Sequence, residues 1–170
     1  RATAQVLTKA GVDYGILGSK ESCCGESIRK TGNEVLFRKL AKENIKTFIE
    51  NGVKRILVSS PHCYHTFKNE YPEFKVNFEV IHTSQYVSQL ISEGKLTLSK
   101  EYAKKVTYHD PCYLGRQNGI YDAPRENLKS AGLQMVEIPR NESKSFCCGA
   151  GGAQMWKEEE PGTMRVNEAR

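Results

Sequence analysis

Six cysteines carry the chemistry open to this sequence. Four stand in two copies of one tripeptide, Cys23-Cys24-Gly25 and Cys147-Cys148-Gly149. The other two follow prolines, in Ser60-Pro61-His62-Cys63-Tyr64 and Asp110-Pro111-Cys112-Tyr113. Adjacent cysteines bridge each other only with strain, because disulfide geometry needs well-separated Cβ atoms. Both sulfurs of such a pair can instead bind neighbouring metal atoms of one cluster. Thiolates are soft ligands that select iron–sulfur clusters, zinc or copper(I). Two pairs therefore predict two soft-metal sites. A lone cysteine such as Cys63 is more often a small core side chain; the doubling of the pair with parallel flanks is what points to metal.

Those flanks are a repeat. Ala10-Gly11 and Ala131-Gly132 each read as a helix stop, followed by the apolar stretches Val12 to Leu17 and Leu133 to Ile138. Cys23 lies 12 residues after Gly11, and Cys147 lies 15 after Gly132. Cys112 precedes Gly132 by 20 residues, and the same step back from Gly11 reaches position −9. Cys63 follows Cys24 by 39 residues, and the same step on from Cys148 reaches position 187. The spacing predicts a duplicated protein of which this sequence is a piece. A further cysteine is expected about nine residues before Arg1, and a Cys-x-x-Cys about 36 to 39 residues after Cys148. The units are read as residues 1–98 and 99–170.

The elements that must position these residues follow from pattern. A chain of 170 residues with 38% hydrophobic and 26% charged content is an ordinary globular composition with a real core. No apolar run is long enough to span a membrane, and no signal peptide opens the sequence. The net charge of +5 is modest, and Arg38, Lys39 and Lys42 read as a solvated helix face, so nucleic-acid binding is not expected. Six cysteines in a chain of alternating strands and helices suit cytosolic metal binding better than a secreted disulfide scaffold. Helices are expected over 2–10, from the Asn33 cap to Glu50 with Phe37, Leu40, Ala41, Ile45, Phe48 and Ile49 inward, from Pro61 through Glu70, over 84–93, from Pro124, and through Arg165 at the end. Strands are expected at Val12 to Leu17, Arg55 to Ser59 (buried on both faces), Phe78 to His82, Val106 to His109 and Leu133 to Ile138. Residues 95–104 read as a polar joint. The fold class is α/β, with parallel sheets flanked by helices in two repeated cysteine-rich units.

All six cysteines then follow strands, at the carboxyl edge where ligands collect in open α/β sheets. Gly25, Gly149 and Gly151 would let backbone approach a bulky cluster and donate N–H groups to its sulfur. His62, His65, His82 and His109 could join cysteines on zinc, but their spacing favours supporting or structural roles. His109 beside Asp110 is the best supporting donor. Gly149 to Gln154 matches a dinucleotide loop only superficially. Trp156 reads as a core or interface anchor.

Taken together, His109-Asp110-Pro111-Cys112, Cys147-Cys148-Gly149-Ala150-Gly151-Gly152 and Met155-Trp156-Lys157-Glu158-Glu159 resemble the cysteine-rich domain family of heterodisulfide reductases. The segment from Pro61 to Tyr64 and Lys68-Asn69-Glu70-Tyr71-Pro72 are similar to the same family's mid-region, so the resemblance covers nearly the whole chain. The family includes iron–sulfur subunits of glycolate oxidase and anaerobic glycerol-3-phosphate dehydrogenase, and lactate-utilisation proteins. The resemblance implies two clusters of the [4Fe-4S] type, Cys23, Cys24 and Cys63 serving one and Cys112, Cys147 and Cys148 the other. The sequence departs from the family at Ser60, where the trailing pair has its first cysteine. The implied function is electron relay between a flavin-containing dehydrogenase or flavoprotein and a quinone- or thiol-linked partner, alongside other iron–sulfur subunits. The expected location is the cytoplasm or the cytoplasmic face of the membrane. A cluster-based disulfide reductase and a structural zinc module are the competing readings. This piece of the protein, purified in air, is expected to fold without an intact cluster.

Overall fold

The computed structural model describes residues 1–99, 102–158, 160, 162–166, 168 and 169. Helix α1 (Ala2–Lys9) ends at Ala10 and turns through Gly11, whose φ of 65° suits glycine. After the first Cys-Cys-Gly come α2 (Glu26–Lys30) and α3 (Glu34–Glu50). Asn33 caps α3 by accepting the Leu36 N–H at 3.1 Å, which satisfies one of the helix's orphan donors. Phe37, Ala41, Asn44, Ile45 and Phe48 of α3 are buried. Ile49, expected inward, is 62% exposed, because it lies about 100° further round the helix than Phe48.

Strand β1 (Arg55–Val58) pairs in parallel with β2 (Glu79–His82), from Arg55 against Glu79 to Val58 against His82. The crossover contains α4 (Pro61–His65), which continues as a π turn over Thr66–Glu70 and a 3₁₀ turn over Tyr71–Phe74. Pro61 sits at the start of α4, where its missing N–H is harmless. Helix α5 (Thr83–Ser92) starts from a capping box between His82 and Gln85. In the second half, β3 (Lys105–Val106) pairs in parallel with β4 (Gln134–Met135) across α6 (Asp122–Ser130). The fold is thus α/β with parallel sheets, as expected. Among the described residues no helix is long and apolar enough to cross a membrane.

The larger core joins Phe37, Ala41, Ile45 and Phe48 of α3 to Val58, Tyr64, Phe67 and Tyr71. Its aromatic rings meet edge-on, Phe67 with Tyr71 at 4.9 Å and Phe48 with Phe67 at 5.7 Å. A smaller core holds Leu7, Leu90 and Leu96.

Several elements differ from expectation. Val12 to Leu17 is extended but belongs to no ladder, and β1 is only half-buried, with β2 on one side. Strands β3 and β4 are two residues each, shorter than the apolar stretches containing them. The joint over 95–104 is not wholly polar, since Leu96 is buried; Lys100 and Glu101 lie outside the described residues. The final helix reduces to one turn, Gln154–Trp156, entered through Ala153 with a left-handed φ of 65°. Pro161 and Gly162 interrupt any longer helical pattern; Glu159, Pro161, Asn167 and Arg170 lie outside the described residues. Trp156 is 73% exposed and anchors no core.

Candidate metal centre

The first Cys-Cys-Gly is a tight turn that leads into α2. Gly25 has φ of 86°, and its N–H points at Cys23 Sγ, 3.4 Å away. Cys23 is exposed, whereas Cys24 is buried against the Phe37 core. The carbonyls of both cysteines are fixed from below. Asn44 donates its Nδ2 to the Cys23 carbonyl at 2.8 Å and to the Tyr71 hydroxyl at 3.0 Å, and that hydroxyl donates to the Cys24 carbonyl at 3.2 Å. Asn44 and Tyr71 are both buried. Tyr71→Phe keeps the ring but strips these partners, so it is expected to destabilise the fold by about 1–3 kcal/mol. A urea denaturation series checks this, and an unchanged midpoint would show that the clamp is slack.

Cys63 enters from α4, and the thiols of Cys24 and Cys63 hydrogen-bond to each other. Ser60, standing where the resembling family has a cysteine, caps α4 by accepting the Cys63 N–H at 3.5 Å. The Cys24 contact, assisted by Ser60 and by His62, pulls the Cys63 thiol down from its ordinary value to about 6 against its own burial. The Cys63 contact and burial push Cys24 far up, so Cys24 keeps its proton and donates it toward a Cys63 thiolate. The thiolate is the nucleophile. In the metal-free protein, alkylation of Cys63 by iodoacetamide should therefore rise between pH 5 and 7, as pH passes the lowered pKa of about 6. Cys24 should stay unreactive. Mass mapping of the labelled peptides reads both, and a Cys63 profile that rises only above pH 8 would refute the pairing.

The second set is assembled by charge. Asp110, two residues before Cys112, is buried and accepts both Nη atoms of Arg125, at 2.6 and 2.8 Å. Its Oδ2 also accepts the Glu142 N–H at 2.7 Å, and its carbonyl accepts the Ser145 hydroxyl at 2.8 Å. Arg125 reaches on to Glu137 at 2.7 Å, and Arg116 donates to the Ser145 carbonyl at 3.0 Å. The Cys112 loop is thereby sewn to the loop that leads into Cys147. The second Cys-Cys-Gly repeats the first turn: Gly149 has φ of 76° and its N–H points at Cys147 Sγ, 3.4 Å away. Cys147 is exposed, and Cys112 and Cys148 are half-buried.

One junction joins the two halves at this edge. The His62 and Tyr113 rings lie 4.3 Å apart, and His62 Nδ1 is 3.2 Å from Oε1 of the buried Glu26. A Cβ on Gly151 would come within 2.9 Å of the His62 ring, so glycine is what allows that approach. Burial and then Glu26 push the Tyr113 hydroxyl up. The other histidines have structural company. His65 meets Asn69 and Asn118 at 3.0 and 3.3 Å, and His82 bridges Ser84 and the Ser59 carbonyl. His109 is half-buried beside Asp110.

Among the described residues, no three His, Cys, Asp or Glu side chains close on a point that could hold a single ion. A cluster asks for something else: each ligand binds a different metal atom, so the sulfurs stand further apart. Thiol donors with backbone N–H groups turned on their sulfurs fit an iron–sulfur cluster. Asn44, Tyr71, Glu26 and Arg125 were not singled out by sequence. Only Asn44 left a signal, an amide on the apolar stripe of α3.

The residue pattern is matched elsewhere. The family model described as cysteine-rich domain matches residues 1–68 and 106–170. The chain is 50% identical over 159 residues to the EtfAB:quinone oxidoreductase of Syntrophomonas wolfei subsp. wolfei, covering 94% of this chain and 22% of that protein. It is 48% identical over 168 residues to the "Probable iron-sulfur-binding oxidoreductase FadF" of Bacillus subtilis, covering 98% and 24%. It is 39% identical over 158 residues to one subunit of the dihydromethanophenazine:CoB--CoM heterodisulfide reductase of Methanosarcina mazei, covering 89% and 39%. The chain thus spans less than half the length of each of these relatives. No solved structure matches it. With the model matching both cysteine-bearing stretches, the chain belongs to the CCG cysteine-rich domain family.

Proposed function

We propose that this chain is an iron–sulfur electron-transfer module of a larger oxidoreductase, with Cys23, Cys24 and Cys63 holding one [4Fe-4S]-type cluster and Cys112, Cys147 and Cys148 a second. The observation that carries the reading is the matched geometry of the two Cys-Cys-Gly turns, each aiming a glycine N–H at its first cysteine sulfur at 3.4 Å. When bound, such a cluster takes up and releases single electrons. The protein supplies the rest. Gly25 and Gly149 place N–H dipoles that favour thiolate over thiol. Asn44 and Tyr71 fix the peptide units of Cys23 and Cys24, so the two sulfurs diverge toward different metal atoms. The Phe37 core keeps water from the Cys24 side, and Asp110 and Arg125 hold the second set of loops together.

The relatives' names support this role: one is an iron–sulfur-binding oxidoreductase, one couples EtfAB to a quinone, and one belongs to a heterodisulfide reductase. The partners we propose are a flavin-containing dehydrogenase or flavoprotein, further iron–sulfur subunits, and a quinone- or thiol-linked acceptor. We place the protein in the cytoplasm or at the cytoplasmic face of the membrane, where its free thiols stay reduced.

Anaerobic reconstitution with ferrous iron and sulfide tests the reading. Acid-labile sulfide, iron and the paramagnetic signal of a reduced cluster are expected, and Cys24→Ser should abolish the first cluster. Stoichiometric zinc without sulfide would overturn the proposal. Reduction of a small disulfide by the loaded, reduced protein would replace relay by catalysis at the cluster. Purification in air should strip iron, because Cys23 and Cys147 are exposed to oxidants. Far-UV circular dichroism should persist, because the cores bury their side chains without metal.

A further inference from the structure

The outer edge of β1 faces a groove of about 620 Å³ whose opposite wall is the extended stretch Val12 to Leu17. Its lining is largely apolar: Leu7, Val12, Leu17, Phe48, Leu57 and Val58. In a parallel ladder, successive residues turn their N–H and C=O alternately to the two sides. The Glu79 N–H donates to the Lys54 carbonyl, so Lys54, Ile56 and Val58 face β2. Arg55 and Leu57 then aim their backbone polar groups into the groove. Val12 to Leu17 likewise has no ladder partner among the described residues.

The second half shows what belongs there. Aligning Gly132 with Gly11 lays α6 (Asp122–Ser130) over positions 1–9, where α1 runs from Ala2 to Lys9. The same alignment lays β4 (Gln134–Met135) over Asp13 and Tyr14, inside the unpaired stretch. The partner of β4 is β3, and β3 (Lys105–Val106) falls at positions −16 and −15. So the helix and the second strand of this motif are present in the first half, and their first strand would lie upstream of Arg1.

We propose that the groove seats a β-strand supplied by the polypeptide upstream of Arg1. It runs parallel to β1 and inserts between Val12–Leu17 and β1, completing a four-stranded parallel sheet. Both faces of this strand are covered, by α1 and by the Phe48 side, so its sequence is a short continuous apolar run. The right-handed rule for parallel crossovers is met by the same chain passing from the strand through α1 into Val12–Leu17. A strand from a second copy would have no such connection. The strand points at the edge where Cys23 and Cys63 sit, so the residues after it arrive beside the first cysteine set.

Hydrogen exchange in the full-length protein tests this. The Ile81 amide, which the same alternation points at β1, is the internal reference. The Leu57 amide and those of Val12 to Leu17 should exchange within about tenfold of it. In the polypeptide 1–170 they should exchange at least about 100-fold faster than in the full-length protein. Fast exchange at Leu57 in the full-length protein would overturn the proposal. So would protection in the polypeptide 1–170 that grows with protein concentration, since a second copy would then fill the groove.

Discussion

Arg125→Met is expected to lower the unfolding free energy by about 3–5 kcal/mol, because it leaves the Asp110 carboxylate buried without its cation. Asp110 is 2% exposed and commits both oxygens to Arg125. Burial alone would raise its pKa; the guanidinium and the Glu142 N–H overcome that and hold it below the ordinary carboxylate value. A lowered folded pKa means stability that is present above the unfolded pKa and is lost as pH falls through the folded one. The native protein should therefore lose stability on the acid side of the ordinary aspartate range, and in Arg125→Met that acid-side slope should flatten. Asp110→Asn combined with Arg125→Met should recover part of the loss, since no unpaired charge remains buried. Urea midpoints across pH read all three proteins. A single variant within about 1 kcal/mol of native, the scale of a surface ion pair, would show the bridge to be no more than that. Because Asp110 also ties Glu142 and Ser145 to the Cys112 loop, the single variant should in addition lose iron from the second site first.

How far the sequence foretells this depends on the kind of interaction. Local rules held wherever an element is closed by its own residues. Asn33 caps α3, Pro61 opens α4, and β2 leads into α5 within a residue of the expected positions. The carboxyl-edge placement of Cys63 follows from the same logic. What failed depends on pairing with something distant. Val12 to Leu17 has the composition of a strand, but a strand exists only through its neighbour, and no ladder forms there. The last helix failed because helical pattern was extended across Pro161-Gly162. The clamps were illegible for a further reason. Arg125 and Asp110 are 15 residues apart, and Asn44 and Tyr71 are 27 apart. Nothing local distinguishes them from the solvated charges and amides around them.

Gly25→Ala should be the most damaging single-methyl change in the chain. At φ of 86° the left-handed backbone alone costs an alanine about 1–2 kcal/mol. Its Cβ would also stand 2.9 Å from Phe37 Cδ2. That ring cannot readily yield. It is fully buried, meets Tyr71 at 6.5 Å and Phe74 at 6.1 Å, and carries the Arg29 guanidinium 4.6 Å over its centre. Forcing extra volume into such packing adds about 1–3 kcal/mol. Gly11→Ala separates the two effects, because Gly11 shares the positive φ but has nothing within 4 Å of a built Cβ. The difference between the two variants in urea should thus be about 1–3 kcal/mol, the packing part alone. Gly25→Ala should also turn its N–H away from Cys23 Sγ, so reconstituted iron should fall at the first site while the second, built around Cys147, keeps its own. If both variants lose the same stability and iron is unaffected, the Phe37 contact is soft and the turn does not position the sulfur.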